Sequence, residues 1–232
     1  MEINMFFSFN YWLFMLPAMI LMFATQWYVN STYKKWNKVK NYRGVSGMEA
    51  VQQMIRSAGL YDISVEEVGG KLSDHYDPRK KVLRLSSGVS QGNSVASLAI
   101  AAHELGHAQQ DQEEYLPLKL RAAMVPMVNI GSYLGWILIF AGLLLNFLNL
   151  SYLGLLIFAG GAAFALLTLP VELNASSRAR KILTDSGLAV DDEELRGVGS
   201  VLNAAALTYV AGLITAILQL LYYASLISGR RR

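Results

Sequence analysis

AAMVPMVNIGSYLGWILIFAGLLLNFLNLSYLGLLIFAGGAAFALLTLPV, residues 122–171, lies between Arg121 and Glu172 and carries no charged side chain over fifty positions. A bilayer core about 30 Å thick is crossed by roughly 20 apolar helical residues. The stretch is therefore long enough to cross twice. Asn146, Asn149 and Ser151 interrupt it near the middle, as a tight turn at the far surface requires. The expected hairpin has arms at Ala123–Leu145 and Tyr152–Leu169.

Two more uncharged tracts flank it. One runs from Glu2 to Lys34, the other covers thirty-three positions between Arg196 and Arg230. Each fits one crossing, near Phe6–Tyr28 and Val201–Ile227, giving four in all. Tyr11, Trp12, Trp27, Tyr28, Tyr133, Tyr222 and Tyr223 fall toward the span ends, as interfacial aromatics do. The first span lacks a basic leader and is too long for a signal-peptide core. Lys34, Lys35, Lys38, Lys40 and Arg43 follow it, the pattern of an anchor. The whole chain agrees: 53% of its 232 residues are apolar and 16% charged, against about 25% charged in soluble domains. It has no cysteine, which excludes disulfides, a thiolate metal site, an iron–sulfur cluster and a cysteine nucleophile. A net charge of +3 points to no nucleic-acid partner. The lipid bilayer is the partner the spans imply.

The cationic residues set the orientation. Segment 31–121 holds thirteen Lys and Arg, and segment 172–200 holds four, so 17 of 20 share one side if all four spans cross. The positive-inside rule makes that side cytoplasmic. Arg230, Arg231 and Arg232 then lie outside as a minority charge, unless the last segment fails to cross. The expected organisation is an anchor (1–30), a cytoplasmic unit (31–121), a transmembrane hairpin (122–171), a second cytoplasmic segment (172–200), and a final span with a basic tail (201–232). The expected location is the cell membrane, multi-pass.

The polar segment is long enough for a small folded unit. Gly44 to Gly47 reads as a turn, and Met48–Ala58 as an amphipathic helix with Gly59 as its C-cap. Ile63–Val68 alternates as a half-buried strand does. Leu72–His75 and Lys81–Leu85 read as two short strands around an Asp77-Pro78 turn. Asn93 or Ser94 can cap a helix running to about Glu113. Residues 184–196 read as an acidic, solvated loop.

That last helix contains His103-Glu104-Leu105-Gly106-His107. Histidines four apart lie about 40° apart around a helix axis, on one face, so both imidazoles can reach one metal ion. Glu104 is offset and can stand beside a water instead of ligating. This is the His-Glu-x-x-His arrangement of zinc peptidases, and it uses two of the chain's three histidines. Gly106 is costly inside a helix and allows another segment to come close. A catalytic zinc takes three protein ligands and leaves one position open. His75 is the remaining histidine. The hairpin argument favours a carboxylate: the chain leaves the membrane surface after Arg121 and returns to it near Pro170, so Glu172 arrives close to the metal helix.

Three stretches carry a family resemblance: Leu72-Ser73-Asp74-His75-Tyr76-Asp77-Pro78, Ala101-Ala102-His103-Glu104-Leu105-Gly106-His107-Ala108-Gln109-Gln110, and Leu169-Pro170-Val171-Glu172-Leu173-Asn174-Ala175-Ser176-Ser177-Arg178-Ala179. The chain resembles the YugP-type neutral zinc metallopeptidases of bacteria over most of residues 30–229. These in turn are similar to membrane metallopeptidases of the heat-shock and prenyl-protein type, whose ligand glutamate lies in a Glu-x-x-Ala-Asp segment. Ser176 stands here where they place the aspartate. The resemblance implies a mainly α membrane protein of about four transmembrane helices with a small α+β, zincin-like (gluzincin) catalytic unit. It also implies a zinc endopeptidase acting on peptide or membrane-protein substrates, in membrane-protein quality control.

The mechanism expected from these parts has His103, His107 and Glu172 holding zinc, which lowers the pKa of a bound water to about 7. Glu104 is then the general base that takes its proton. His75, Tyr76 and Arg178 are the candidates for oxyanion or substrate contacts. An extended substrate is expected to pair with Lys81–Leu85 as a sheet edge. The competing class is a non-proteolytic membrane adaptor or assembly factor with a structural zinc, which would have no need of Glu104. A transporter is disfavoured because few intramembrane charges exist to line a path.

Overall fold

A computed structural model describes residues 9–230. Its elements in chain order are helices α1 (Phe9–Trp36) and α2 (Gly47–Ala58), then strands β1 (Ser64–Val68), β2 (His75–Asp77) and β3 (Val82–Ser86). Helices α3 (Ser87–Ser90), α4 (Val95–Gln112), α5 (Leu116–Leu144), α6 (Leu148–Asp185) and α7 (Asp192–Gly229) follow. The fold is mainly helical, with one small sheet. Four helices, α1, α5, α6 and α7, are long and apolar enough to cross a membrane. The start of the first expected span, Phe6 to Ser8, and the tail residues Arg231 and Arg232 lie outside the described residues.

The chain divides into two compact units. The first comprises residues 9–26, 120–169 and 208–230. Here α5 and α6 form the expected hairpin, but its turn is only Leu145-Asn146-Phe147. Asn149 and Ser151, read from sequence as turn residues, sit in the first helical turn of α6. The reason is local: the Ser151 hydroxyl is buried and donates to the Ile139 carbonyl, so its polarity is satisfied without a loop. Small residues let the two helices approach closely. A Cβ on Gly142 would lie 2.3 Å from Ser151 Oγ, and one on Gly135 would lie 2.9 Å from the Gly154 carbonyl oxygen. Tyr223 of α7 meets Phe158 edge-on, with ring centroids 5.2 Å apart. The Arg230 guanidinium bonds the Leu143 carbonyl and, at 3.1 Å, Asn146 Oδ1. The end of α7 and the α5–α6 turn therefore lie at the same end of this unit, and a cation there suits a helix C-terminus.

The second unit comprises residues 27–119 and 170–207. Its core includes Trp36, Val51, Met54, Leu60, Leu83, Leu85, Leu98, Leu105, Leu183 and Leu202. Helix α2 starts at a capping box in which Ser46 and Glu49 serve each other, and it ends at Gly59 with φ of 68°. The sheet order is β1-β3-β2, with β1 and β3 parallel and β2 and β3 antiparallel. Asp77 Oδ1 accepts from the Arg79 and Lys80 amides, closing the turn between β2 and β3. Ser94 caps α4, its hydroxyl accepting from the Ser97 amide at 3.0 Å. Alanines at 96, 99, 101, 102 and 108 let α4 sit buried at the centre of the unit.

Three further expectations need correction. The strand expected at Leu72–His75 lies instead at His75–Asp77, β2. The strand at Lys81–Leu85 is not a sheet edge: β3 is central and paired on both sides. Its run of Val82, Leu83 and Leu85 is buried, as a central strand requires. The acidic segment 184–196 is not one solvated loop. Helix α6 runs to Asp185 and α7 begins at Asp192. Glu194 is buried at 4% exposure and accepts from the Tyr42 amide.

Candidate metal centre

The candidate site lies within the second unit, on α4 and the C-terminal part of α6. Helix α4 presents His103 and His107 on one face, their ring centroids 4.8 Å apart and nearly perpendicular. Helix α6 passes unusually close: a Cβ on Gly106 would lie 2.5 Å from the Ala175 carbonyl oxygen. Only glycine permits that approach, and it brings Glu172 against both imidazoles.

Glu172 Oε2 lies 3.2 Å from His103 Nε2 and 3.5 Å from His107 Nε2. Ligand atoms of the three residues all fall within 4.8 Å of one another. Zinc bound tetrahedrally at about 2.0–2.1 Å separates its ligand atoms by about 3.3 Å, so the two His–Glu distances fit the edges of such a tetrahedron. The chemistry of the donor set fits too: two imidazole nitrogens and one carboxylate oxygen suit zinc. The side chains are 14%, 12% and 2% exposed for His103, His107 and Glu172. Burial raises the Glu172 carboxyl, yet hydrogen bonds and charge from His103 and His107 outweigh it and hold it well below the usual carboxylate range. Burial likewise pushes His107 down, but Glu172 and Glu104 bring it above the ordinary imidazole value. The pocket thus favours positive charge at its centre, which a divalent cation supplies.

Each histidine has a partner for its other nitrogen. His103 Nδ1 is 3.3 Å from Ser176 Oγ, and His107 Nδ1 is 3.0 Å from Gln110 Oε1. Glu104 is held from the sheet side, its Oε2 accepting from the Tyr76 backbone amide at 3.1 Å. The Tyr76 hydroxyl donates to Asp111 Oδ2 at 2.9 Å, so β2 is tied to α4 twice. Burial and the neighbouring Asp111 raise the Tyr76 phenol.

The structure thus brings His103, His107 and Glu172 together, with Glu104 beside the pair of histidines. It does not bring His75 into the cluster. That ring is exposed, 2.8 Å from the Ser73 carbonyl and 3.4 Å from Arg84 Nη1. Arg178 is engaged elsewhere, with Nε donating to Asn174 Oδ1 at 2.7 Å and Nη2 to Glu113 Oε2 at 2.6 Å. Sequence reasoning missed Gln110 and Asp111. Their signal is helical spacing alone, since they follow His107 by three and four positions on α4 and so share its face.

The family described as "Putative neutral zinc metallopeptidase" matches residues 11–228. A protein of Bacillus subtilis (strain 168) named "Putative membrane protease YugP" is 43% identical over 216 residues, which cover 93% of this chain and 96% of the relative. No solved structure matches.

Proposed function

The chain belongs to the neutral zinc metallopeptidase family, and from that premise we propose that it is an integral-membrane zinc endopeptidase whose catalytic unit faces the cytoplasm. The observation that carries this reading is the convergence of His103, His107 and Glu172 within 4.8 Å beside a second carboxylate, Glu104, that does not join them. A structural site has no need of that carboxylate.

His103 and His107 through Nε2, and Glu172 through its carboxylate, would hold the ion. A zinc ion there supplies Lewis acidity toward water and toward the scissile carbonyl. Glu104 is the general base: it takes a proton from the attacking water and returns it to the leaving amine. The Tyr76 amide fixes the Glu104 carboxylate in place for that exchange. An extended peptide is best received by β2, the sheet edge whose Tyr76 backbone already reaches Glu104.

The orientation rests on the 17 of 20 Lys and Arg that flank the spans on one side. The bond from Arg230 to the α5–α6 turn supports a last helix that crosses, because it puts the end of α7 with the far end of the hairpin. A catalytic unit joined to the membrane by four helices favours membrane-protein substrates, consistent with quality control. Equal cleavage of soluble casein and of membrane substrates would contradict that preference. Glu104→Gln tests the central reading: the variant should bind zinc as wild type does and lose at least about 100-fold in turnover. A variant that keeps its activity would contradict it.

A further inference from the structure

We propose that Gln110 is a positioning residue that fixes two of the three metal ligands at once, as the middle link of a chain of hydrogen bonds starting at Arg178. The proposal rests on the metallopeptidase reading above. Gln110 is fully buried, at 0% exposure. Its amide nitrogen donates to the Val171 carbonyl at 2.8 Å and to Asn174 Oδ1 at 2.8 Å, and its Oε1 faces His107 Nδ1 at 3.0 Å.

The direction of every bond in this chain is determined. A guanidinium has donors only, so the atom of Asn174 that meets Arg178 Nε at 2.7 Å must be its oxygen. That oxygen can only accept, so Gln110 must turn its NH2 toward it. The Val171 carbonyl, also a pure acceptor, requires the same orientation. Gln110 Oε1 is then left for His107, and an amide oxygen can only accept, so His107 Nδ1 must carry the hydrogen. The lone pair of the neutral ring therefore lies on Nε2, the atom 3.5 Å from Glu172. Glu113 holds the far end of the chain through Arg178 Nη2.

The same amide registers the third ligand. Val171 immediately precedes Glu172, so the bond from Gln110 to its carbonyl ties the α6 backbone at the ligand position to α4. One side chain thus sets the tautomer of His107 and the placement of Glu172. His103 has a separate partner in Ser176 and lies outside this chain. Arg178 acts here through other residues, in place of the substrate contact expected from sequence.

The test uses the full-length protein in detergent, with zinc affinity measured by competition against a chromophoric chelator. Gln110→Leu should weaken zinc binding by about 10–100-fold, the usual cost of losing a ligand's outer partner. Gln110→Glu keeps an acceptor for His107 but loses the donor to Val171 and Asn174, so it should restore the Nδ1–H form of His107 without restoring the full zinc affinity. The chain's three histidines also permit ¹⁵N-histidine labelling, which should show the Nδ1–H form of His107 in wild type and a mixture of forms in Gln110→Leu. Wild-type affinity in Gln110→Leu overturns the proposal, as does a mixture of His107 forms in Gln110→Glu. Failure of both Gln110→Leu and Gln110→Met to fold also overturns it, in favour of a purely structural role. A wild-type protein that bound no zinc would contradict the metallopeptidase reading instead, and the His107 tautomer would then decide the relay by itself.

Discussion

Glu194 shows how far a residue's surroundings can depart from its sequence neighbourhood. It sits in a run of acids, Asp191 to Glu194, that reads as solvated, yet it is buried against the Tyr42 amide. The readable signal was Asp191 followed three positions later by Glu194, the spacing of a helix-starting capping box. Burial pushes its carboxyl above the ordinary value, outweighing the amide bonds that lower it. The folded state therefore binds this proton more tightly than the unfolded chain, whose pKa is about 4.3. Stability from this group is then greatest below about pH 4.3 and is lost as pH rises through the raised folded value. Glu194→Gln keeps an oxygen for Tyr42 and removes the buried charge. It should melt higher than wild type at pH 7, with the advantage shrinking toward pH 4; a constant difference across that range would contradict the assignment. The histidine pair and Glu104 were legible as a candidate site because histidines four apart with an intervening Glu are specific on a helix. Gln110 was not, because a neutral amide gains its meaning only from what α6 places beside it.

At the scale of elements, the contact between α4 and α6 decides the site. Gly106 was readable as an anomaly, a glycine in the middle of a helix, and the structure supplies its cause in the Ala175 carbonyl. Gly106→Ala should favour α4 by about 1 kcal/mol on helix propensity alone. Its Cβ nevertheless collides with backbone, which cannot swing away as a flexible side chain can. The expected net result is displacement of α6 and loss of zinc from the purified variant. Full zinc content would show that the approach is not required. Glu172 was legible through topology, because a hairpin of equal arms must return where it began. Strand order was not legible in the same way. Three short strands admit several pairings, and only the apolar Val82, Leu83 and Leu85 of β3 hinted that it was central. The continuation of α6 through Pro170 to Asp185 was also hidden, since proline marks a boundary more often than a helix interior.

For the whole molecule, the four helices long enough to span and the excess of Lys and Arg on two segments make a single prediction about sidedness. The chain has no native cysteine, so single cysteines report without background. Ser73→Cys, in the sheet region, should resist a membrane-impermeant maleimide added to intact cells and react after lysis. Phe147→Cys, in the α5–α6 turn, should react in intact cells. The reverse pattern would contradict the orientation, and labelling of both or neither would contradict the crossing number. The number of helices long and apolar enough to span was readable from uncharged tracts alone, because the bilayer imposes a length. The architecture of the polar unit was less so, because its core is assembled from segments on both sides of the hairpin.

The claim on which the account depends is that a carboxylate from beyond the hairpin completes a site begun by two histidines. Zinc content of the purified protein, measured beside Glu172→Ala and His75→Ala, addresses it most directly. The account predicts one zinc per chain in wild type and in His75→Ala, and loss of zinc in Glu172→Ala. Retention of zinc by Glu172→Ala, or its loss from His75→Ala, would contradict it.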